Sequence, residues 1–158
     1  MKIPSKRLIL IRHAHRDKKL DRDTDNGLSL KGRKQARKLG FFFKEQFGTR
    51  ANPRFLSSPK RRCLETLAPI SETMKPKGSV ETDSRLDEGD GLHERVAVFL
   101  KSWQNSRAVL TVACTHGDWI PEALRQICGG SIELEKGGWV EVRNDDGQPR
   151  IHSLLQEP

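Results

Sequence analysis

The stretch LILIRHA (residues 8–14) decides how the chain is read. Four consecutive aliphatic residues, Leu8 to Ile11, stop on Arg12 and His13. A half-exposed strand would alternate apolar and polar residues. A run that is apolar on both faces predicts a central strand of an α/β sheet. AVLTVACT (108–115) repeats the pattern and runs into His116 and Gly117. In open α/β sheets, ligands bind outside the carboxyl ends of the strands. Two histidines at two such ends are therefore candidates for one site.

Working outward from these strands, the pattern alternates. Ala36, Leu39, Gly40, Phe43 and Phe47 recur at helical spacing from Leu30 onward, and Gly48 is a natural stop. RFLSS (54–58) reads as a strand. SPKRRCLETL then opens a helix, with Ser58 as N-cap, Pro59 at the first position and Pro69 as a kink or end. GSVETD (78–83) is a further strand candidate. Leu92, Val96, Phe99, Leu100 and Trp103 mark the apolar stripe of another helix, and residues 119–128 a last one, with Gly129-Gly130 as its stop. SIELE, GWVEVRN and RIHSLL read as closing strands, the last pair hairpin-like. Strands alternating with helices predict a layered α/β fold around a mainly parallel sheet, with an antiparallel edge.

The length of 158 residues fits one domain spanning 1–158. No stretch approaches the ~20 apolar residues of a membrane span, and MKIPSKRLILIRH has too short an apolar run for a signal peptide. Cys63, Cys114 and Cys128 have no metal-type spacing, which favours reduced, buried thiols and a cytoplasmic location. Residues 1–62 carry 19 Lys+Arg against 5 Asp+Glu, and the remainder 10 against 16. Such asymmetry predicts a basic surface that attracts anions: nucleic acid, a phosphoprotein or a small phosphate ester.

Three strand ends would deliver Arg12 and His13, His116, and a helix N-terminus with Arg62 in its first turns. Arginine grips phosphate oxygens bidentately, helix N-termini favour anions, and an imidazole can attack phosphorus.

These residues resemble a family. LIRHA (10–14) is similar to the Arg-His-Gly signature of the histidine phosphatase superfamily, the phosphoglycerate mutase-like proteins. SSPKRRCLET (57–66) resembles its Ser-Ser-Pro-x-x-Arg element, RLDEGDG (85–91) its Leu-x-Glu segment, and VLTVACTHG (109–117) its second histidine block. LSLKGRKQARKLG (28–40) matches the helix placed after the first motif. The blocks occur in order over nearly the whole chain. Its shortness resembles the small branch that includes bacterial phosphohistidine phosphatases.

The resemblance implies a three-layer α/β/α sandwich and a metal-independent phosphatase that needs no cofactor. It implies that His13 is the nucleophile, forming a phosphohistidine intermediate. Arg12 and Arg62 would clamp the phosphoryl group, His116 would add a donor, and Gly117 would contribute its backbone N–H. Glu88 would be the general acid and then the base, tuned upward to donate near neutral pH. Positive neighbours would keep His13 unprotonated. The substrate would be a phosphorylated small molecule or a phosphoprotein. Ala14 departs from the usual glycine. Lys19 stands where larger members carry a phosphate-contacting asparagine. Glu88 is a carboxylate that small phosphohistidine phosphatases often lack, which favours oxygen esters, because an alkoxide needs a proton to leave.

Alternatives stand beside this reading. Arg61 competes with Arg62 for the clamp, and Asp87 or Asp90 with Glu88 for the acid. His13-Ala14-His15 has the His-x-His form of metal-dependent hydrolases, though further ligands are not evident. Trp119 could line a substrate mouth or belong to the core. The lysines of residues 31–44 read as a solvated face or as a docking strip for an acidic partner. A non-catalytic phosphate- or phosphoprotein-binding module is the rival in function. A mutase would need a water-excluding lid, for which the chain is short. Nucleic-acid binding lacks a recognisable motif and interleaved surface aromatics.

Overall fold

The structure, a computed structural model, describes residues 5–19, 24–48, 50–74 and 79–157. In chain order it contains β1 (Lys6–Arg12), α1 (Leu30–Phe47), β2 (Arg54–Ser57), α2 (Arg61–Met74), β3 (Glu81–Thr82), a 3-10 turn (Ser84–Leu86), α3 (Leu92–Asn105), β4 (Leu110–Thr115), α4 (Trp119–Cys128), β5 (Trp139–Asp145) and β6 (Gln148–Leu155). One six-stranded sheet has the order β3-β2-β4-β1-β5-β6. The first four strands are mutually parallel. β5 pairs antiparallel to β1, and β6 antiparallel to β5.

The run Leu8–Ile11 explains the layering. All four side chains are fully buried, but on opposite faces. Leu8 and Leu10 pack with Phe99, Trp103, Trp119 and Leu124 of α3 and α4. Ile9 and Ile11 pack with Leu39, Phe43, Leu67 and Ile70 of α1 and α2. Each such side chain contributes ~1.5–3 kcal/mol on burial, which makes β1 the spine of both cores.

α1 begins at Ser29, whose hydroxyl accepts from the Gly32 N–H at 3.1 Å, and ends where Gly48 turns at φ 70. Gly32 allows the helix to lie against the chain leaving β1: a Cβ there would sit 2.0 Å from the His15 carbonyl oxygen.

Four sequence expectations are corrected. SIELE (131–135) is not a strand. Both edges of β1 are already taken by β4 and β5, so this segment crosses the strand end instead. Side chains satisfy its backbone: Arg12 donates to the Leu134 carbonyl, Gln156 Oε1 accepts from the Glu135 N–H, and Gln156 Nε2 donates to the Glu133 carbonyl. Pro69 does not end α2, which runs on to Met74 because Leu67, Ile70 and Met74 are buried in the core. α2 starts at Arg61, later than expected: the Ser58 hydroxyl still accepts from the Lys60 N–H, but only at 3.4 Å, because it sits closer to His116 Nε2 at 2.8 Å. Within GSVETD, β3 covers only Glu81–Thr82, and Gly78 lies outside the described residues. Of the three free thiols, Cys63 and Cys114 are buried and Cys128 is exposed. No helix among the described residues is long and apolar enough to cross a membrane.

Candidate functional site

The carboxyl ends of β1, β2 and β4 extend as one rim. The His13 N–H donates to the Thr115 carbonyl at 3.0 Å, and the Ser58 N–H to the Cys114 carbonyl at 3.0 Å. This pairing carries His13 and His116 side by side, their ring centroids 5.5 Å apart. An open cleft of about 740 Å³ lies over them, lined by Arg12, His13, Arg16, Lys18, Arg62, Glu88, Gly117, Asp118 and Lys136.

His13 is almost completely buried. Its Nδ1 lies 2.8 Å from the Ala14 carbonyl oxygen. A carbonyl can only accept, so Nδ1 carries the proton and Nε2 keeps its lone pair. Arg62 Nε approaches Nε2 at 3.3 Å. The pKa of His13 is lowered to about 3. Burial is the main cause; Arg62, His116 and Arg12 add to it against the raising effect of the Ala14 carbonyl. The expected depression is there, though desolvation leads and neighbouring charge follows.

Arg62 is buried and joins three groups. Its Nη2 lies 2.5 Å from Glu88 Oε1 and 3.3 Å from His116 Nδ1, while its Nε reaches His13. Arg61 points away and pairs with Glu65 at 2.7 Å, so the register falls on Arg62. Thr66 fixes this corner: its hydroxyl accepts from the Ala14 N–H at 3.0 Å and donates to the Arg62 carbonyl at 2.7 Å.

Arg12 donates to the Leu134 carbonyl from Nη1, and its buried Nε–H has no acceptor among the described residues. Its guanidinium lies against Gly117, where a Cβ would come within 2.7 Å of the Arg12 Cζ. The glycine of the second histidine block thus makes room for the arginine of the first.

His116 is fully buried behind Arg62 and Glu88 and does not line the cleft. Its Nε2 lies 2.8 Å from Ser58 Oγ and 3.6 Å from Asp87 Oδ1; its Nδ1 lies 3.5 Å from Glu88 Oε2. Glu88 is half-exposed and faces the cleft. Burial pushes its carboxyl pKa up, but His116 and Arg62 outweigh burial and hold it below the usual value. The upward tuning expected of an acid is therefore absent in this structure, because Arg62 and His116 stabilise the carboxylate. Asp87 turns toward the Glu88 N–H and His116, and Asp90 does not line the cleft. The Leu-x-Glu segment is held from β4 and α4: Thr115 Oγ1 donates to the Leu86 carbonyl at 2.6 Å, and Trp119 Nε1 to the Arg85 carbonyl at 2.8 Å. Trp119 is a core residue, edge-on to Phe99 at 5.3 Å.

Lys19 is exposed and outside the cleft, its N–H bonded to Asp17 Oδ1. His15 Nδ1 is 2.7 Å from Ser29 Oγ, at the start of α1. Among the described residues no group of three or more His, Cys, Asp or Glu side chains is placed to hold a metal ion. Sequence reasoning missed Arg16, Lys18, Asp118 and Lys136 as lining residues and Ser58 as the partner of His116. The charge run after His15 signalled the first two. Lys136 had no signal, since it lies in the short gap between SIELE and GWVEVRN.

The sequence matches the histidine phosphatase superfamily (branch 1) over residues 8–91, more than half of the chain. No curated protein matches it by sequence. Solved structures share its fold. The protein histidine phosphatase SixA complexed with tungstate is 18% identical, with a TM-score of 0.80 over 95% of this chain and 96% of that one. Phosphoserine phosphatase from Entamoeba histolytica, with 3-phosphoglyceric acid, is 20% identical, with a TM-score of 0.75 over 94% and 96%. A mycobacterial glucosyl-3-phosphoglycerate phosphatase is 18% identical, with a TM-score of 0.73 over 98% and 100%. With its Arg-His strand end, its Ser-Ser-Pro-x-x-Arg corner and this sheet order, the chain belongs to the histidine phosphatase superfamily.

Proposed function

We propose that the chain is a metal-independent phosphatase that works through His13. The observation that carries this reading is the state of that imidazole. Its proton is held on Nδ1 by the Ala14 carbonyl, and its Nε2 lone pair stands beside Arg62 at 3.3 Å in a cleft that Arg12 also lines. Phosphoryl transfer needs positioning and charge stabilisation above all, and these groups supply both.

In the first half-reaction, Nε2 attacks phosphorus and an N–P bond forms as the P–O bond to the leaving group breaks. Arg12 and Arg62 hold the phosphoryl oxygens. The leaving oxygen takes a proton from Glu88. In the second half, the Glu88 carboxylate accepts a proton from water, and the water oxygen attacks phosphorus. The N–P bond breaks, and its electron pair returns to Nε2. The Arg62–Glu88 pair gives this cycle its trigger. A phosphate dianion that takes Arg62 removes the carboxylate's partner and sets negative charge beside it. Both effects raise the Glu88 pKa toward that of an acid. His116 orients Arg62 and Glu88 from behind the cleft, a supporting role more than the direct donor that the resemblance implied. The substrate is an oxygen monoester or a phosphohistidine. A carboxylate facing the cleft favours the ester, whose leaving oxygen needs its proton.

The test is a quenched reaction with phenyl phosphate, followed by mass spectrometry of the enzyme. The wild type is expected to carry an acid-labile, alkali-stable phosphoryl group on His13. Turnover retained by His13→Ala would overturn the reading. In the same assay Glu88→Gln is expected to lose roughly 10²–10⁴-fold on phenyl phosphate and far less on a phosphohistidine protein.

A further inference from the structure

The cleft carries more positive charge than one phosphoryl group can use. Beyond Arg12 and Arg62, its walls hold Arg16, Lys18 and Lys136. Among the described residues none of these three forms an ion pair with a carboxylate. Of the two acidic lining residues, Glu88 pairs with Arg62 and Asp118 accepts from the Gly89 N–H at 3.4 Å, so five cations still outnumber two carboxylates.

The cations are also crowded. The pKa of Lys136 is lowered by burial and by Lys18, Arg12, Arg16 and Lys31 around it. Its position is built by the backbone. The Gly137 N–H donates to the Arg12 carbonyl at 3.0 Å, the Arg12 N–H to the Gly138 carbonyl at 2.9 Å, and the Gly138 N–H to the Glu135 carbonyl at 2.8 Å. Gln35 Nε2 meets the Lys136 carbonyl at 3.5 Å. This turn pins Lys136 beside the end of β1. A monoester of a neutral alcohol would occupy Arg12 and Arg62 and leave three clustered cations facing uncharged atoms.

We propose that Arg16, Lys18 and Lys136 form a second anion subsite, so that the favoured substrate is a small phosphate monoester whose leaving group carries a further carboxylate or phosphate. The inference rests on the phosphatase reading above and assigns its substrate class. A small molecule is favoured over a protein because the cleft volume of about 740 Å³ falls in the range of small-molecule sites.

The test compares kcat/KM for phenyl phosphate, 4-carboxyphenyl phosphate and 1,4-phenylene bisphosphate on the same enzyme, read as phosphate release. Phenyl and carboxyphenyl leaving groups are of similar basicity, so their ratio reports recognition of the second anion. At least one of the two bis-anionic esters is expected to exceed phenyl phosphate by about tenfold or more, chiefly through KM, and the preference should shrink with added salt. Arg16→Met, Lys18→Met and Lys136→Met, each checked for an unchanged thermal midpoint, should each lower that ratio. Lys101→Met, an exposed position on α3 outside the cleft, should not. Equal kcat/KM for all three esters in the wild type, or a ratio untouched by all three cleft variants, would overturn the subsite while leaving the phosphatase reading in place. Better turnover of an Asp-flanked phosphopeptide than of either bis-anionic ester would overturn the small-molecule assignment. Absence of turnover on every ester, with no phosphoryl group on His13, would overturn the phosphatase reading and the subsite with it.

Discussion

β1 and β4 are neighbouring apolar strands that both end on a histidine, yet the two rings are held in different ways. His13 is held at Nδ1 by the carbonyl of the next residue, and among the described residues its Nε2 meets one partner, the Arg62 Nε–H at 3.3 Å. His116 is approached at both nitrogens by Ser58, Asp87, Arg62 and Glu88, which come from separate elements. One ring lines the cleft; the other lies behind it. The same residue type at the same kind of strand end is therefore set in two different environments. His13, on the cleft wall with a single 3.3 Å contact at Nε2, is the ring placed to meet a bound group. His116, held on both sides and outside the cleft lining, touches groups that do line it.

The sharpest way to break this comparison is to remove each ring in turn. His13→Asn is expected to lose roughly 10⁴-fold or more in kcat on an aryl phosphate, because the bond-forming atom is gone. His116→Asn should lose about 10²–10³-fold, because Arg62 and Glu88 lose the ring that positions them, and should still accumulate phosphoryl on His13. Equal losses, with no phosphoenzyme in either variant, would show that the two rings act as one unit.

A smaller effect sharpens the role of the His116 anchor. Ser58→Ala removes the hydroxyl 2.8 Å from Nε2. A lost hydrogen bond of this kind is worth ~1–2 kcal/mol, so kcat should fall by about tenfold. The alanine variant should shift the pH profile of kcat more than KM. A change confined to thermal stability would mark Ser58 as structural only.

Stability against pH tests the His13 ring apart from turnover. The pKa of His13 is about 3 in the folded chain, against 6.5 for an ordinary histidine. Between these values the unfolded chain binds a proton that the folded one refuses. Stability is therefore fully present above 6.5 and declines as pH falls toward 3. His13→Asn should flatten that decline by the share of this single imidazole. Denaturant titrations of both proteins from pH 7 to 4 measure it, and parallel curves would mean that His13 titrates normally.

Much of the site was legible because its parts are local in sequence. Arg12, His13, Arg62, Glu88 and His116 each sit in a short block, and each block lands at the rim as expected. The double-faced burial of Leu8–Ile11 was legible for the same reason, since four aliphatics in a row can only be satisfied between two layers. Less was legible where competition between elements decides. SIELE alternates like a strand, but no strand edge beside β1 was left for it. Pro69 breaks a local rule that the burial of α2 overrides. Arg62 was read as the clamp with Arg61 as its competitor, and helix phase separates them by turning Arg61 outward to Glu65 and Arg62 inward to both imidazoles.

The layered α/β order and the rim residues Arg12, His13, Arg62, Glu88 and Gly117 were readable from the chain alone, because hydrophobic period and strand-end motifs act over a few neighbouring positions. Only the tertiary structure decided the proton on His13, the charge on Glu88 and the place of Lys136 in the cleft. Those depend on burial and on charges brought together from distant segments, and electrostatic energy follows distance in space, with no regard to spacing along the chain.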